Sequence, residues 1–281
     1  MTNLFLRAGT ALALLFVAPN AIAQQVAAPA PTAVETQDAT PALWVVKDED
    51  TTIYLFGTIH VLKPGLSWFD QAVKKAFDAS DEMVTEIGDL PDPAEMQPLI
   101  MKYGLNMTGP TLTEKLPEDK RAAFTAAVAK YGLPQAVIDR FDPWLAATQL
   151  SMVALQSEGY DPASGAEAVL SAAAKVAGKP VSGLETVEQQ FGFFDSLSEE
   201  AQIKFLVEGL EQIQNVGPEF EKMVAAWASG NPEGLAEIMN EALRSSPELS
   251  KMLLADRNAR WAEWIDTRLE KPGVVFMAVG A

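Results

Sequence analysis

An almost uninterrupted apolar segment, Thr52–His60 (TIYLFGTIH), constrains the fold more strongly than any other part of this sequence. A strand with one face in water alternates apolar and polar residues, whereas a strand covered on both faces is apolar throughout. Continuous apolar strands are typical of parallel sheets with helices on both sides. Residues 43–47 are rich in β-forming residues, and Asp48–Asp50 supplies a turn between the two segments. We therefore predict a hairpin whose second strand is buried in an α/β domain.

The sequence after this hairpin alternates between helical and strand patterns. Ser67 is the expected cap of a helix over residues 68–80, where apolar residues recur at helical spacing, and Glu82–Ile87 follows as a strand. A second unit pairs an amphipathic helix at residues 166–177 with a strand at residues 180–184. Such βαβ units are right-handed in nearly all proteins. The predicted fold class is therefore α/β, with a mostly parallel central sheet built from βαβ units and a large helical insertion.

The N-terminus has the form of a secretory signal peptide. Arg7 is followed by an apolar run, and small residues lead to a cleavage site after Ala23. An apolar run of about ten residues is too short to span a bilayer, which takes roughly twenty. Residues 1–23 are thus predicted to be removed on export, which would make the protein periplasmic or secreted, with no stable membrane span after cleavage.

The rest of the sequence divides into a linker and one domain. Residues 24–42 are rich in Ala, Pro and Thr, which predicts a disordered linker. A single α/β domain is expected over residues 43–281. It contains the helical insertion at about residues 91–163 and a second helical segment at residues 187–270, in which caps are repeatedly followed by proline.

Charge and composition exclude several classes of function. The net charge of −17 opposes binding to the phosphates of nucleic acid or to anionic membranes, so nucleic acid is not an expected partner. The chain has no Cys, which excludes disulfides, thiolate metal sites and cysteine nucleophiles. Gly-rich phosphate loops, GxSxG and HExxH motifs are also missing from the sequence. The sequence predicts no particular oligomeric state.

Three polar residues follow the predicted buried strands. His60, Glu86 and Glu185 each lie at or near the carboxyl end of a strand, where open α/β sheets bind their ligands. We expect them at one edge of the sheet, as metal ligands or proton carriers.

Each of the three also has a structural interpretation. A backbone hydrogen bond could satisfy His60, and a structural salt bridge could satisfy Glu86, whose neighbours are apolar. Glu185 could favour the N-terminus of the next helix, because Thr186–Gln189 fits a capping box. Both interpretations of each residue stay open at this stage.

Arg257 and Asn258 lie on a late predicted helix, with Trp261 one turn and Trp264 two turns after Arg257. Such a cluster often packs cation against ring on the surface. In a catalytic interpretation, Arg257 stabilises a developing oxyanion or fixes a substrate carboxylate.

Taken together and in order, these motifs resemble the TraB/GumN family from about Leu43 to the last residue. The segments that carry the resemblance are Tyr54–Leu62, Val84–Glu86, Gly183–Thr186 with Glu188–Gln189, Arg257–Asn258 with Trp261, and Val275–Ala281. The family is itself similar to the Tiki metalloproteases. The resemblance implies a site for a divalent metal ion, Zn, Mn or Co, formed by two GxxH histidines and an early glutamate. It also implies hydrolysis of peptide or amide bonds, so the expected partner is a peptide or small-molecule substrate.

Several residues carry over from the family pattern. Gly57 and His60 match the first GxxH, Glu86 matches the acidic position, and Arg257 with Asn258 matches the late polar pair. The resemblance therefore implies His60 and Glu86 as metal ligands. It implies catalytic roles for Glu86, Arg257 and Asn258, to which we add Glu185 as a base or supporting group.

The sequence departs from the family pattern at its last strand. The second GxxH would place its histidine two residues after Ala281. The sequence is then either a C-terminally truncated fragment, which we expect, or a protein that has lost a metal ligand. The alternative to a hydrolase is a protein that binds or sequesters a peptide or a glycan in the same cleft without chemistry.

Overall fold

The computed structural model describes residues 36–88, 92–243 and 247–281. The predicted signal peptide at residues 1–23 and the first part of the linker lie outside the described residues. The strands are β1 (Gln37–Asp38), β2 (Leu43–Lys47), β3 (Thr51–Thr58), β4 (Leu66–Ser67), β5 (Glu82–Thr85), β6 (Val181–Gly183) and β7 (Gly273–Gly280). Within the described residues, five strands form the central sheet in the order β2-β3-β7-β5-β6. β2 is antiparallel to β3 and the remaining pairs are parallel, which confirms the predicted fold class.

Helices surround this sheet and fill most of the chain between its strands. They are α1 (Gln71–Ala79), α2 (Pro93–Tyr103), α3 (Leu112–Lys115), α4 (Glu118–Lys130), α5 (Gln135–Ile138), α6 (Pro143–Ser157), α7 (Ala166–Ala177), α8 (Val187–Asp195), α9 (Glu199–Gln212), α10 (Val216–Ala228), α11 (Pro232–Leu243), α12 (Pro247–Ser250) and α13 (Asp256–Leu269). Among the described residues, no helix is long and apolar enough to cross a membrane.

The apolar sequence of β3 is explained by burial on both faces of the sheet. Side chains of successive strand residues point to opposite faces. On one face, Phe56 and Phe276 pack into the main core with their ring centroids 5.8 Å apart. On the other face, Ile53 and Val275 pack with Trp261 of α13 in a smaller core. Because both faces of the sheet are covered by apolar side chains, β3 and β7 do not alternate between apolar and polar residues.

The start of the folded region differs from the sequence prediction. β1 pairs in parallel with β4, and Ala39 is buried, so ordered structure extends into residues 37–42 of the predicted linker. This pairing also explains why Ser67 does not cap α1, which was the sequence prediction. Ser67 belongs to β4, and Asp70 is the residue before the helix, with the Ser67 hydroxyl donating to its carboxylate at 2.7 Å.

The late helices are less regular than their sequence pattern indicates. A 3₁₀ turn at Ile213–Asn215 separates α9 from α10. A π-helical turn at Lys251–Ala255 joins α12 to α13. Such π turns are rare and frequently occur beside functional sites. This one directly precedes Arg257.

Candidate active site

The carboxyl ends of β3, β7, β5 and β6 lie at one edge of the central sheet, and the residues singled out in the sequence follow these ends. β7 runs between β3 and β5, so that Thr58 lies opposite Gly280 and Thr85 opposite Ala278. The N–H of Gly280 donates to Glu86 on the β5 side, while the N–H of Ala281 donates to the Thr58 carbonyl on the β3 side. The end of β7 therefore separates two groups of polar side chains.

The first group is a carboxylate–arginine cluster, which consists of Glu86, Glu185, Gln190 and Arg257. Arg257 Nη2 lies 2.6 Å from Glu86 Oε2 and 2.9 Å from Glu185 Oε2, and Arg257 Nε donates to Glu185 Oε1 at 2.9 Å. Gln190 Nε2 donates to Oε2 of both glutamates at 3.0 Å. The Gly280 N–H completes the set by donating to Glu86 Oε1 at 2.8 Å.

Charge within this cluster is buried and only partly balanced. Arg257 is 2% exposed and faces two buried carboxylates. Burial opposes its charge, but Glu86 and Glu185 outweigh burial and hold the pKa of Arg257 above its ordinary value. The half-exposed Arg260 adds a longer contact of 3.4 Å to Glu185. The cluster is therefore an ion network that excludes water on one side of the sheet edge.

The structural interpretations of Glu86 and Glu185 can now be compared with the contacts that these side chains make. Glu86 does form a salt bridge, as its structural interpretation proposed. The capping box of Thr186 and Gln189 is present, yet the Glu185 side chain points into the cluster. The Arg257 guanidinium packs over the Trp261 ring at 4.6 Å, and both side chains are buried rather than on the surface. Asn258 is exposed.

The second group is an imidazole–carboxylate pair formed by His60 and Glu167. His60 lies two residues beyond the end of β3 and is 7% exposed, and its Nδ1 is 2.6 Å from Glu167 Oε1. The Thr58 hydroxyl also donates to Glu167. The structure thus brings Glu86, Glu185 and Arg257 together and places His60 with a different carboxylate, one that sequence reasoning did not single out.

Backbone contacts fix this pair in place. Glu167 lies in the first turn of α7, whose first residue, Ala166, donates its N–H to the Ile59 carbonyl at 2.9 Å. Gly165 precedes the helix, and a Cβ on this glycine would lie 1.9 Å from the His60 carbonyl oxygen. Only glycine allows the two backbones to approach this closely. The start of α7 is therefore held directly against the segment that carries His60.

The environment of Glu167 favours its charged form. Burial raises the pKa of a carboxyl group, but here the charge of His60 and hydrogen bonds from His60 and Thr58 outweigh burial, so the pKa of Glu167 is lowered from 4.5. A carboxyl group with a lowered folded-state pKa stabilises the fold above its unfolded pKa, and that stabilisation is lost as pH falls through the folded pKa.

This environment predicts how a Glu167→Gln variant depends on pH. At pH 7.5 we expect the variant to be less stable than the original protein in urea unfolding, and we expect the difference to shrink as pH falls below about 4.5. Glu263→Gln is the matched control, because Glu263 is exposed on α13. A Glu167→Gln deficit that is the same at pH 7.5 and pH 3 would contradict the charge argument.

The chain segments that adjoin His60 and Glu167 line a cavity. It has a volume of about 380 Å³ and is lined by residues 62–69, by Ala163 and Ser164, and by Val169. Leu62 pairs with Asp161 through two backbone hydrogen bonds, so the segment after His60 and the segment before Glu167 form one wall. The cavity therefore starts within three residues of both members of the pair along the chain.

Neither Glu167 nor Gln190 was among the sequence candidates. Gln190 lies in the first turn of α8, directly after the capping-box residue Gln189, and a glutamine is an ordinary residue in a helix. Glu167 lies in the first turn of an amphipathic helix, where an acidic residue is ordinary. The one available signal was the sequence GAE at the start of α7, because a glycine before a helix that returns to a buried strand permits close contact.

A divalent metal ion is usually held by several side-chain donors. Within the part of the chain that the structure describes, no group of three or more His, Asp or Glu side chains is arranged to hold a metal ion. His60 and Glu167 nevertheless match a common arrangement in metal sites, in which the histidine donates its second ring nitrogen to a carboxylate. His60 therefore offers one donor of the kind that such an ion prefers, with Glu167 behind it.

Comparisons with known proteins bear on the whole domain. The sequence model of the TraB/PrgY/gumN family matches residues 42–281. Searches of curated proteins and of solved structures found no match to this chain.

Proposed function

The chain belongs to the TraB/PrgY/gumN family, and on that basis we propose that it is an exported, divalent-metal-dependent hydrolase of peptide or amide bonds. The reaction is assigned to the carboxyl edge of the sheet, at the imidazole–carboxylate pair and the adjoining cavity. The observation that carries this proposal is the 2.6 Å contact between the buried His60 and Glu167, whose neighbouring chain segments line a cavity. Such oriented imidazoles recur in hydrolytic sites.

Glu167 acts on His60 by position and by charge. Its carboxylate accepts a hydrogen bond from Nδ1, which holds the proton on that nitrogen and leaves Nε2 as the basic nitrogen of the ring. Nε2 is the atom that would ligate a metal ion or accept a proton. When bound, a divalent ion would supply Lewis acidity and a water of lowered pKa for attack on a carbonyl.

The carboxylate–arginine cluster lies at the same edge of the sheet and contains the other residues to which the resemblance or the sequence assigns a role. Glu86 is the carboxylate ligand that the family resemblance implies, but both its oxygens accept hydrogen bonds, from Gly280, Gln190 and Arg257. Metal binding by Glu86 would require one of these contacts to open. As arranged, the cluster gives the edge a buried negative charge. Glu185 could act as a supporting base and Arg257 as an anion-binding group only if the ion pair between them opened. Asn258, exposed on α13, is assigned to contact with substrate.

A second candidate is a protein that binds or sequesters a peptide or glycan at this edge without chemistry. It is favoured by the lack, among the described residues, of a metal site with three side-chain donors. The two candidates differ in one respect, which is whether a bound peptide is returned intact.

Cleavage of a defined peptide mixture distinguishes these candidates. Followed by mass spectrometry with Zn²⁺, Mn²⁺ or Co²⁺ added, we expect the protein to yield cleavage products that EDTA suppresses. His60→Ala should reduce the rate by about 100-fold or more, because removing a catalytic imidazole costs at least this much. The control is Glu263→Gln, which should cleave at the original rate. Cleavage unchanged in His60→Ala, or no products with any of the metals, would contradict the proposed function.

A further inference from the structure

The lining and the volume of the cavity formed by residues 62–69 and their neighbours are not explained by the proposed hydrolase activity alone. Its lining combines apolar side chains, among them Leu66, Trp68, Phe69 and Val169, with a similar area of polar surface. A volume of about 380 Å³ lies at the lower end of the range of small-molecule sites. The cavity therefore suits a small ligand group that has one apolar part and one polar part.

Lys63 supplies the one charged side chain among the lining residues. It is half-exposed, its Nζ lies 4.8 Å from the Tyr160 ring centroid, and Glu221 is 3.9 Å away. Glu221 is 71% exposed, and exposed ion pairs of this length contribute little free energy. The ammonium group thus lies near the Tyr160 ring and is only weakly paired, so it remains able to bind an anion. A lysine among the lining residues gives the cavity a charge that complements an anionic ligand group.

We propose that this cavity binds the C-terminal residue of a peptide, with an apolar side chain against Trp68 and Phe69 and the free α-carboxylate at Lys63. The inference rests on the proposed function in that it names the substrate class of the same edge of the sheet. An apolar residue bound here contacts the two segments that adjoin His60 and Glu167 along the chain. The protein then recognises peptides by their carboxyl ends.

Binding of two peptides tests this proposal. The probes are an acetylated Gly/Ser octapeptide that ends in leucine with a free carboxylate and the same octapeptide as its C-terminal amide. Isothermal titration in the presence of EDTA measures binding without turnover. We expect the free acid to bind about three- to fivefold more tightly than the amide, which is the range of an exposed ion pair. This preference should weaken as NaCl is raised, because salt screens the contact.

Variants of the cavity provide the matched controls. Lys63→Met should remove the preference for the free acid, while Lys175→Met, an exposed lysine at the far end of α7, should keep it. Ala163→Trp fills the cavity from its exposed rim and should weaken binding of both peptides by about tenfold or more, whereas Ala168→Trp, exposed on the same segment but outside the lining, should not.

The outcomes separate this proposal from the proposed function. Equal binding of acid and amide, or full binding by Ala163→Trp, would overturn the cavity assignment even if the protein cleaves peptides. Binding with the expected preferences would support the cavity assignment even if no peptide is cleaved, in which case only the hydrolase proposal fails.

Discussion

Replacement of Arg257 by Met is expected to lower the free energy of unfolding by about 3–5 kcal/mol, which is the usual cost of removing one partner from a buried ion pair. Met fills a similar volume, so the loss comes from charge rather than from an empty space. Without the guanidinium, Glu86 and Glu185 keep hydrogen bonds from Gln190 and Gly280, and the two buried carboxylates are left with the longer contact from the half-exposed Arg260 as counter-charge. Urea unfolding at pH 7.5 measures the effect.

Arg260→Met is the matched control for this prediction. Arg260 contacts the same Glu185, but at 3.4 Å and from a side chain that is 48% exposed. Exposed pairs contribute at most about 1 kcal/mol, so the control variant should remain close to the original stability. Similar losses in the two arginine variants would mean that burial of the cluster does not govern its energetics.

Gly165→Ala is expected to destabilise the protein by about 3 kcal/mol or more, at the upper end of the cost of overpacking a core. The new Cβ would lie 1.9 Å from the His60 carbonyl oxygen and 2.5 Å from the carbonyl carbon. Neither backbone is free to move, because the N–H of Ala166 is bonded to the Ile59 carbonyl. The substitution should therefore also separate His60 from Glu167, and we expect peptide cleavage to fall together with the midpoint of urea unfolding.

Gly192→Ala is the same chemical change, but we expect it to raise the stability of the protein. Gly192 lies within α8, and a Cβ there would meet no atom within 4 Å. Replacing a helical glycine by alanine stabilises a protein by roughly 0.5–1 kcal/mol, so this variant should unfold at slightly higher urea. If Gly165→Ala behaved like Gly192→Ala, the close approach of α7 to the strand end would be wrong.

The parts of this fold that the sequence predicts well are those governed by local patterns. The apolar run of β3 requires burial on both faces, and the structure provides it from both cores. The convergence of strand ends follows from parallel pairing alone, and it correctly predicts that Glu86 and Glu185 lie at one edge of the sheet.

Partner choice within the site depends on long-range contacts, which a local pattern does not contain. Glu86 and His60 are both strand-end residues, but the end of β7 lies between them, and each is paired by a helix from a distant part of the chain. The position of α7 against His60 depends on the absence of a side chain at Gly165. The start of α1 at Gln71 has a similar cause, because Ser67 belongs to the strand that pairs with residues 37–38 and cannot begin the helix.

The most direct test of this account is nuclear magnetic resonance of the imidazole ring. The chain has a single histidine, so the imidazole nitrogen signals of untagged, ¹⁵N-labelled protein come from His60 alone. We expect titration with Zn²⁺ to shift these signals to a saturating limit, and Glu167→Gln to weaken that binding by about 10- to 100-fold, as loss of a carboxylate behind a histidine ligand does. Imidazole signals that stay unchanged in a several-fold excess of zinc would contradict the assignment of His60 as the metal-binding centre of this edge.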